Sequence, residues 1–179
     1  MTGSSPETLL EKGYAARRES RLAEAGERFS EAVDLCRVGN DPVLLAQALA
    51  GLGQIESDLN SLDGAIKCYE ESVELYRAAD RPLALAHTIR HVADLLLKQV
   101  KLDLAAERYR EALEIYRSHK ETPPLDLANT LRGYALVKSS TGDAEEATRL
   151  WREAGGLYAS VGVEAGVVES KAQIERLTA

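Results

Sequence analysis

Three side chains in the segment HTIRHVAD have the types and the spacing of a metal-binding site. His87, His91 and Asp94 follow one another at intervals of four and three residues, which places them on one face of a helix. Imidazole and carboxylate groups together can chelate a transition metal. The segment lacks the general-base glutamate of zinc proteases, because Thr88 stands at that position. We therefore favour a cluster of hydrogen-bonding side chains here and predict no metal and no cofactor.

Carboxylate groups lie close together in two segments and could form an acid–base pair. They are Glu70, Glu71 and Glu74 in one segment and Glu107, Glu111 and Glu114 in the other. Basic side chains lie about one helical turn away, and we expect Glu107 to pair with Arg110 and Glu111 with Arg108. This pattern is typical of a solvated helix face. The sequence also has no glycine-rich phosphate loop and no recognisable Ser, His and Asp arrangement, so we predict that the protein is not an enzyme.

The segments that carry these side chains belong to an internal repeat. The stretch AIKCYEESVELYR, which begins at Ala65, returns at Ala105 as AAERYREALEIYR. A weaker copy begins at Ala25 and a fourth begins at Ala147, so the period is 40, 40 and 42 residues. Repeats of this length are typical of solenoids, in which neighbouring units bury one another's apolar faces.

The sequence predicts a chain made almost wholly of helices. Apolar residues recur at the helical period, and proline and small polar residues separate the segments. We expect one all-α domain, residues 1–179, with helix pairs at about 6–38, 42–79, 82–118 and 124–160 and a capping helix at about 163–177. Gly155 and Gly156 lie inside the last pair, which is therefore either the weakest unit or an unusually closely packed one. The side chains expected to face inward from the capping helix are Ala165, Val168, Ala172 and Ile174.

Four register positions of the repeat carry the pattern of the tetratricopeptide repeat. A small residue stands in the first helix of each pair, and Ala, an aromatic residue and Ala follow in the second. In that order, the positions hold Gly13, Gly53, Ala93 and Ala135; Ala25, Ala65, Ala105 and Ala147; Phe29, Tyr69, Tyr109 and Trp151; and Ala32, Ser72, Ala112 and Ala154. The chain resembles this family, and its long units look like repeats of the kinesin-light-chain type and of helical sensor domains in bacterial regulators. The resemblance implies a right-handed α–α superhelix that binds protein or peptide in a concave groove lined by the first helices.

The groove positions of that family, transferred by register, hold polar side chains in this sequence. We expect Arg17, Arg90 and Arg132 to anchor an acidic or polar peptide segment, because the excess of acid lies on the second helices. The alternative is that these residues are simply solvated or pair with neighbouring repeats. The expected peptide-binding groove consists of Tyr14, Arg17, Gln47, Gln54, His87, Arg90, Asp94, Lys98, Asn129 and Arg132.

The composition narrows the classes of partner. A net charge of −7 argues against nucleic-acid binding, which needs clustered Lys and Arg. No apolar run is long enough for a membrane span or a signal peptide, and Cys36 and Cys68 match no zinc or redox spacing. We predict a cytoplasmic, non-catalytic scaffold for a protein or peptide, with no membrane partner. A ligand-sensing regulatory module and a self-associating element that forms a homo-oligomer stay open as other functions.

Overall fold

Helices make up almost all of the chain that the computed structural model describes, residues 4–179. Within these residues there are nine helices and no strand. The predicted pairs and the capping helix begin and end within one residue of the observed bounds. The helices are α1 (Pro6–Arg18), α2 (Leu22–Gly39), α3 (Pro42–Asp58), α4 (Leu62–Ala78), α5 (Pro82–Lys98), α6 (Leu102–Ser118), α7 (Pro124–Ser140), α8 (Ala144–Ser160) and α9 (Glu164–Thr178).

A capping side chain followed by proline starts the first helix of the first two pairs. The Ser5 hydroxyl accepts a hydrogen bond from the Thr8 amide at 3.4 Å, directly before Pro6. The Asp41 carboxylate, directly before Pro42, accepts from two amides of the first turn of α3 at 3.1 and 2.9 Å. Capping satisfies amides that have no partner within the helix, and proline in the first turn gives up no helical hydrogen bond.

Most connections between helices turn through one residue with a left-handed backbone. Val100 is the least expected of them, because a β-branched side chain at φ 59° is strained. Between α6 and α7 the chain instead runs through the longer segment that contains the two-residue insertion of the repeat. The left-handed residues are Ser20, Asn40, Asn60, Asp80, Val100, Gly142 and Gly162.

The described residues up to Thr88 form one compact unit, whose core surrounds Phe29. The Phe29 ring lies between Gly13 of α1 and Gly51 of α3, where an added Cβ would come within 2.8 and 2.5 Å of ring atoms. The two glycines therefore let both first helices approach the aromatic side chain of α2. α3 also packs on α4, where the buried Ser72 hydroxyl donates to the Ala46 carbonyl at 2.8 Å.

Residues 89–179 form the second compact unit, in which α7 packs against α6 and α8, and α8 packs against α9. Its core contains the fully buried rings of Tyr109 and Trp151. Gly133 of α7 lies against Tyr109, because an added Cβ would come within 2.4 Å of the ring and of its hydroxyl. The aromatic position of the repeat thus meets a glycine of the following first helix in both units.

The inward face of α9 differs from the predicted one. Gly166 lies against the Tyr158 ring, and the buried Ser170 hydroxyl donates to the Gly166 carbonyl at 2.7 Å. The Tyr158 ring occupies the space that a side chain at position 166 would fill, so the smallest residues face inward rather than the most apolar ones. Of the predicted inward residues Ile174 is half-buried, whereas the prediction is wrong for Ala165, Val168 and Ala172, which are exposed.

The paired glycines of α8 allow close packing. α8 runs without interruption from Ala144 to Ser160. A Cβ at Gly155 would lie 3.1 Å from the Ser170 Cβ, whereas a Cβ at Gly156 would meet nothing within 4 Å. Gly155 therefore brings α9 close, and Gly156 has no such role. None of the described helices is long and apolar enough to cross a membrane.

Candidate functional site

In the first unit, a two-point ion pair joins two of the first helices. Arg17 of α1 donates from Nε and Nη2 to the carboxylate of Asp58 of α3, at 2.7 and 3.2 Å. Both side chains are about one-third exposed, and the bonds to Asp58 raise the pKa of the Arg17 guanidinium. The pair lies on the predicted peptide-binding face and holds α1 and α3 side by side.

The remaining predicted residues of the first unit are polar and at least partly exposed. Tyr14 is partly exposed, and its ring makes an edge contact with the Phe29 ring, with 4.9 Å between the two centroids. Partial burial raises the pKa of the Tyr14 phenol. Gln47 is exposed, and Gln54 and His87 are half-buried. Gln47 and Gln54 are seven residues apart on α3 and therefore share one face. These groups offer hydrogen-bond donors and acceptors with no fixed net charge.

In the second unit, Arg90 and Asp94 form a buried polar network with Tyr109. Arg90 is 8% exposed, and its Nη1 donates to Asp94 Oδ2 at 2.8 Å. The Tyr109 hydroxyl donates to Asp94 Oδ1 at 2.6 Å. Removal from water raises the pKa of the Asp94 carboxyl, against the opposing effects of Arg90 and of the Tyr109 hydrogen bond. Arg90 is therefore held by Asp94, and little of its side chain is exposed.

The third expected anchor is paired as well. Arg132 of α7 donates from Nε and Nη2 to Glu169 of α9 at 2.6 and 2.7 Å, which raises the pKa of the guanidinium. All three arginines thus bind acidic side chains of the same chain. Arg17 and Arg132 pair with neighbouring units, the alternative that the sequence left open, whereas Arg90 pairs with Asp94 four residues along the same helix. A direct role of these arginines in peptide binding stays a prediction.

Two other predicted residues of the second unit keep unused hydrogen-bonding groups. Asn129 of α7 accepts a hydrogen bond from the Tyr158 hydroxyl at its Oδ1, with 2.8 Å between the oxygens. Its amide nitrogen donates to nothing in the described part of the chain. Lys98 is exposed and makes no ion pair with the residues that the structure describes, although its charge acts on Asp94.

The His87, His91 and Asp94 segment carries hydrogen bonds in the structure. Asp94 accepts from Arg90 and Tyr109, and the His91 Nε2 lies 3.1 Å from Arg90 Nη2. Among residues 4–179 there is no group of three or more His, Cys, Asp or Glu side chains placed to hold a metal ion. Cys36 is buried and Cys68 half-buried, and burial raises the pKa of both thiols. These environments agree with packing roles.

The second helices are joined by ion pairs that the sequence reading missed. Arg37 contacts Glu71 at 3.0 Å in the first unit, and Arg117 contacts Glu153 at 2.8 Å in the second. Both pairs occupy the same positions of the repeat. The arginine lies twelve residues after the first Ala of its repeat segment, and the glutamate lies six residues after the first Ala of the next segment. That regularity was the signal available in the sequence.

The predicted pairs within α6 are half right. Arg108 contacts Glu111 at 3.2 Å, as expected. Glu107 and Arg110 form no ion pair in the described structure, so that prediction is wrong. Both side chains are exposed, and neither is held by a neighbouring helix.

Paired helices with small and aromatic residues in a fixed register indicate the family of this chain. The family model described as the MalT-like TPR region matches residues 5–176. The chain belongs to this family. The sequence-based assignment to the tetratricopeptide repeats is thereby confirmed, and so is the all-α repeat fold. No curated protein sequence matches this MalT-like TPR chain.

Solved structures of the same fold come from several proteins. The apo form of RapI is 14% identical with a TM-score of 0.85, over 93% of this chain and 60% of RapI. A signal-transduction ATPase of the STAND class from Pyrococcus horikoshii, with a tetratricopeptide repeat sensor, is 15% identical with a TM-score of 0.82, over 94% of this chain and 26% of that protein. TPR-like repeats of a Podosopora anserina putative kinesin light chain are 13% identical with a TM-score of 0.77, over 98% and 87%. The MalT-like TPR chain therefore spans less than two thirds of RapI and of the ATPase.

Proposed function

We propose that this MalT-like TPR chain is a non-catalytic scaffold that binds an acidic or polar segment of a partner protein on its first helices. The observation that carries the proposal is the side-chain amide of Asn129. Tyr158 fixes its oxygen, so its two N–H groups are oriented and have no partner in the described chain. An oriented amide with free donors matches the carbonyl groups of an extended peptide.

Lys98 supplies the charge selectivity in this proposal. Its ammonium group is exposed and makes no ion pair with any described residue, and its charge, like that of Arg132, favours the ionised form of Asp94. Arg132 and Arg90 are already bound to acids of the chain, so Lys98 is the cation that a ligand carboxylate reaches without breaking an internal pair. The preference for acidic segments thus rests on Lys98, and the arginines position the helices.

The test uses a library of random twelve-residue peptides displayed on phage, selected against the full chain. Affinities of the enriched peptides are then measured by fluorescence polarisation for wild type, Asn129→Ala, Lys98→Glu and the control Arg152→Ala, which changes an exposed arginine of α8. We expect enrichment of Asp and Glu. Lys98→Glu should lose about tenfold or more in affinity, because hydrogen bonds to charged groups contribute about 1.5–3 kcal/mol. Asn129→Ala should lose several-fold, because a neutral hydrogen bond contributes about 0.5–1.5 kcal/mol.

The control should bind like wild type. Equal affinity for wild type, Asn129→Ala and Lys98→Glu would exclude this face as the binding site. Arg90→Ala is a poor test, since it removes the buried partner of Asp94 and lowers stability whatever the ligand does.

A ligand-sensing module is the second candidate. The matching family is the MalT-like TPR region, and the structure from Pyrococcus horikoshii is described as containing a tetratricopeptide repeat sensor. A thermal-shift screen of small metabolites tests it, because a ligand at one hundred times its dissociation constant stabilises the folded state by about 2.7 kcal/mol. Stabilisation by a metabolite that also displaces the selected peptides would favour the sensor over the scaffold.

A further inference from the structure

A cleft opens between two second helices of the second unit and shares no residue with the predicted peptide-binding groove. α6 and α8 form its walls, and α7 contributes Tyr134. Its volume is about 230 Å³. This volume is below the roughly 300–1,000 Å³ of pockets for drug-sized ligands, so the cleft suits one ring or one branched chain with a single polar group.

The floor of the cleft is apolar. Leu113 of α6 and Leu150 of α8 are almost completely buried, and Tyr134 is 9% exposed. Tyr134 is fixed on two sides, because the Tyr109 ring lies 6.3 Å away and the Lys138 ammonium lies 5.6 Å from its ring centroid. The floor is therefore rigid, and a ligand gains only a modest apolar contact from it.

The rim of the cleft is lined by charged side chains. It contains three arginines, Arg110, Arg117 and Arg149, and two glutamates, Glu114 and Glu146. Glu153 bonds to Arg117 and lies 3.5 Å from Arg149, so it balances the charge of the third arginine. An anion would therefore be bound by an individual guanidinium and not by a net positive charge of the rim.

Two of the three arginines already have partners. Arg117 binds both oxygens of Glu153 at 2.9 and 2.8 Å, and Arg149 binds both oxygens of Glu146 at 2.6 and 2.7 Å. Arg110 is exposed and makes no ion pair with any described residue. Its guanidinium is thus the group that remains available for an incoming carboxylate, with the two-point geometry that arginine favours.

The repeat itself does not require these residues. At the same register in the first unit, Ser30 stands in place of Arg110 and Leu52 in place of Tyr134. The combination of a free guanidinium and an aromatic floor therefore belongs to this cleft and does not follow from the architecture.

We propose that the cleft between α6 and α8 binds a small apolar carboxylate. Its carboxylate bonds to Arg110, and its ring or branched chain lies against Tyr134 and between Leu113 and Leu150. The ligand is either a free organic acid or the C-terminal residue of a protein, since both join an apolar group to a carboxylate. This site is separate from the proposed peptide-binding face, so each can fail without the other.

The experiment is a titration of the uniformly ¹⁵N-labelled full chain with 3-phenylpropionate, followed by amide and arginine Nε shifts. We expect saturable shifts confined to the residues around the cleft. Arg110→Ala should weaken binding by about tenfold or more, since it removes the charged partner. This variant changes an exposed and unpaired side chain, so it should not affect folding. Arg152→Ala on the same outer surface is the matched control and should bind like wild type.

Two further ligands test the chemistry and its source. The uncharged 3-phenylpropanamide should produce no saturable shifts, and equal binding of the amide would overturn the carboxylate assignment. Absence of localised shifts with 3-phenylpropionate, or unchanged affinity in Arg110→Ala, would overturn the site. Within a confirmed site, tighter binding of N-acetyl-phenylalanine than of 3-phenylpropionate assigns the cleft to protein C-termini, whereas weaker binding assigns it to a free acid.

Discussion

The same position of the repeat has opposite chemistry in the two compact units. In the first unit this position holds Tyr14, whose ring edge contacts Phe29 at a centroid distance of 4.9 Å. In the second unit it holds Asp94, whose carboxylate accepts a hydrogen bond from the hydroxyl of Tyr109 at 2.6 Å. Phe29 and Tyr109 are themselves equivalent residues. The exchange of Phe for Tyr is therefore matched by an exchange of an aromatic neighbour for an acidic one.

This comparison separates what the repeat fixes from what it leaves open. Both units place an aromatic ring against a glycine of the next first helix, Gly51 or Gly133. The backbone approach is therefore common to both, because only a residue without a side chain fits there. The chemistry at the tip of the ring differs, since Phe29 has no polar atom to satisfy and Tyr109 has a buried hydroxyl that needs a partner.

Filling the glycine position should have the largest effect in both units. A Cβ at Gly133 would lie within 2.4 to 2.5 Å of Tyr109 atoms, and one at Gly51 within 2.5 to 2.8 Å of Phe29 atoms. Overpacking of this kind costs about 3 kcal/mol, and alanine in a helix returns about 1 kcal/mol, so Gly133→Ala and Gly51→Ala should each lose about 2 kcal/mol of unfolding free energy. Urea unfolding followed by circular dichroism measures it.

The chain provides its own control for that prediction. Gly156 is also inside a helix, but a Cβ there meets nothing within 4 Å. Gly156→Ala should therefore raise the unfolding free energy by up to about 1 kcal/mol. A loss at Gly156, or neutrality at both Gly51 and Gly133, would contradict the packing argument.

The hydroxyl at the tip of the Tyr109 ring should give the next largest effect, and its equivalent Phe29 has no such group. Tyr109→Phe leaves one oxygen of Asp94 without its donor, and we expect a loss of about 1–2 kcal/mol. The pKa of Asp94, already raised by burial, should rise further, because the lost hydrogen bond favours the ionised form. A carbon-detected NMR titration of the carboxyl group measures the change.

The pH dependence of stability follows from the direction of this shift. The folded pKa of Asp94 lies above the ordinary value of an aspartate, so its contribution to stability is full below that ordinary value and declines as the pH rises through the folded pKa. Tyr109→Phe should extend the decline to higher pH. Tyr14→Phe is the matched control, because Tyr14 stands at the repeat position equivalent to Asp94. Removing its hydroxyl should change neither the pKa of Asp94 nor the pH dependence of stability. A lower Asp94 pKa in Tyr109→Phe would refute the proposed role of the phenol.

The sequence predicted the helices well because their signals are local. Proline after a capping residue starts α1 and α3, and the spacing of Ala and aromatic residues sets the register of every pair. These signals lie within one helical turn or one repeat. The physical constraints that start and end a helix act over the same short range, so the predicted helix bounds agree with the observed ones.

The partners of the arginines could not be predicted in the same way. Arg17 bonds to a residue 41 positions away and Arg132 to one 37 positions away. The sequence shows many acids at comparable distances, and the choice among them depends on how neighbouring helices pack. The prediction for the inward face of α9 was wrong for a similar reason. The Tyr158 ring packs against Gly166, whereas hydropathy alone favours Val168 as an inward residue.

The smallest effects should come from the ion pairs between second helices, where the two units again differ. Arg37 and Glu71 are about half exposed, and Glu71 has no other basic partner in the described structure. Glu153 is less exposed and lies near both Arg117 and Arg149, at 2.8 and 3.5 Å. Double-mutant cycles with alanine should give a coupling free energy of about 0.5 kcal/mol for Arg37 with Glu71 and a larger one for Arg117 with Glu153.

Salt should weaken both couplings, because the screening length falls to about 3 Å at 1 M ionic strength. The coupling of Arg37 with Glu71 should vanish first, since water reaches both side chains. The coupling of Arg117 with Glu153 should persist in part, because both side chains are less exposed to water and salt. Equal couplings at low salt would show that a shared register alone sets the strength of the pair, and that the neighbouring charges of the second unit add nothing to it.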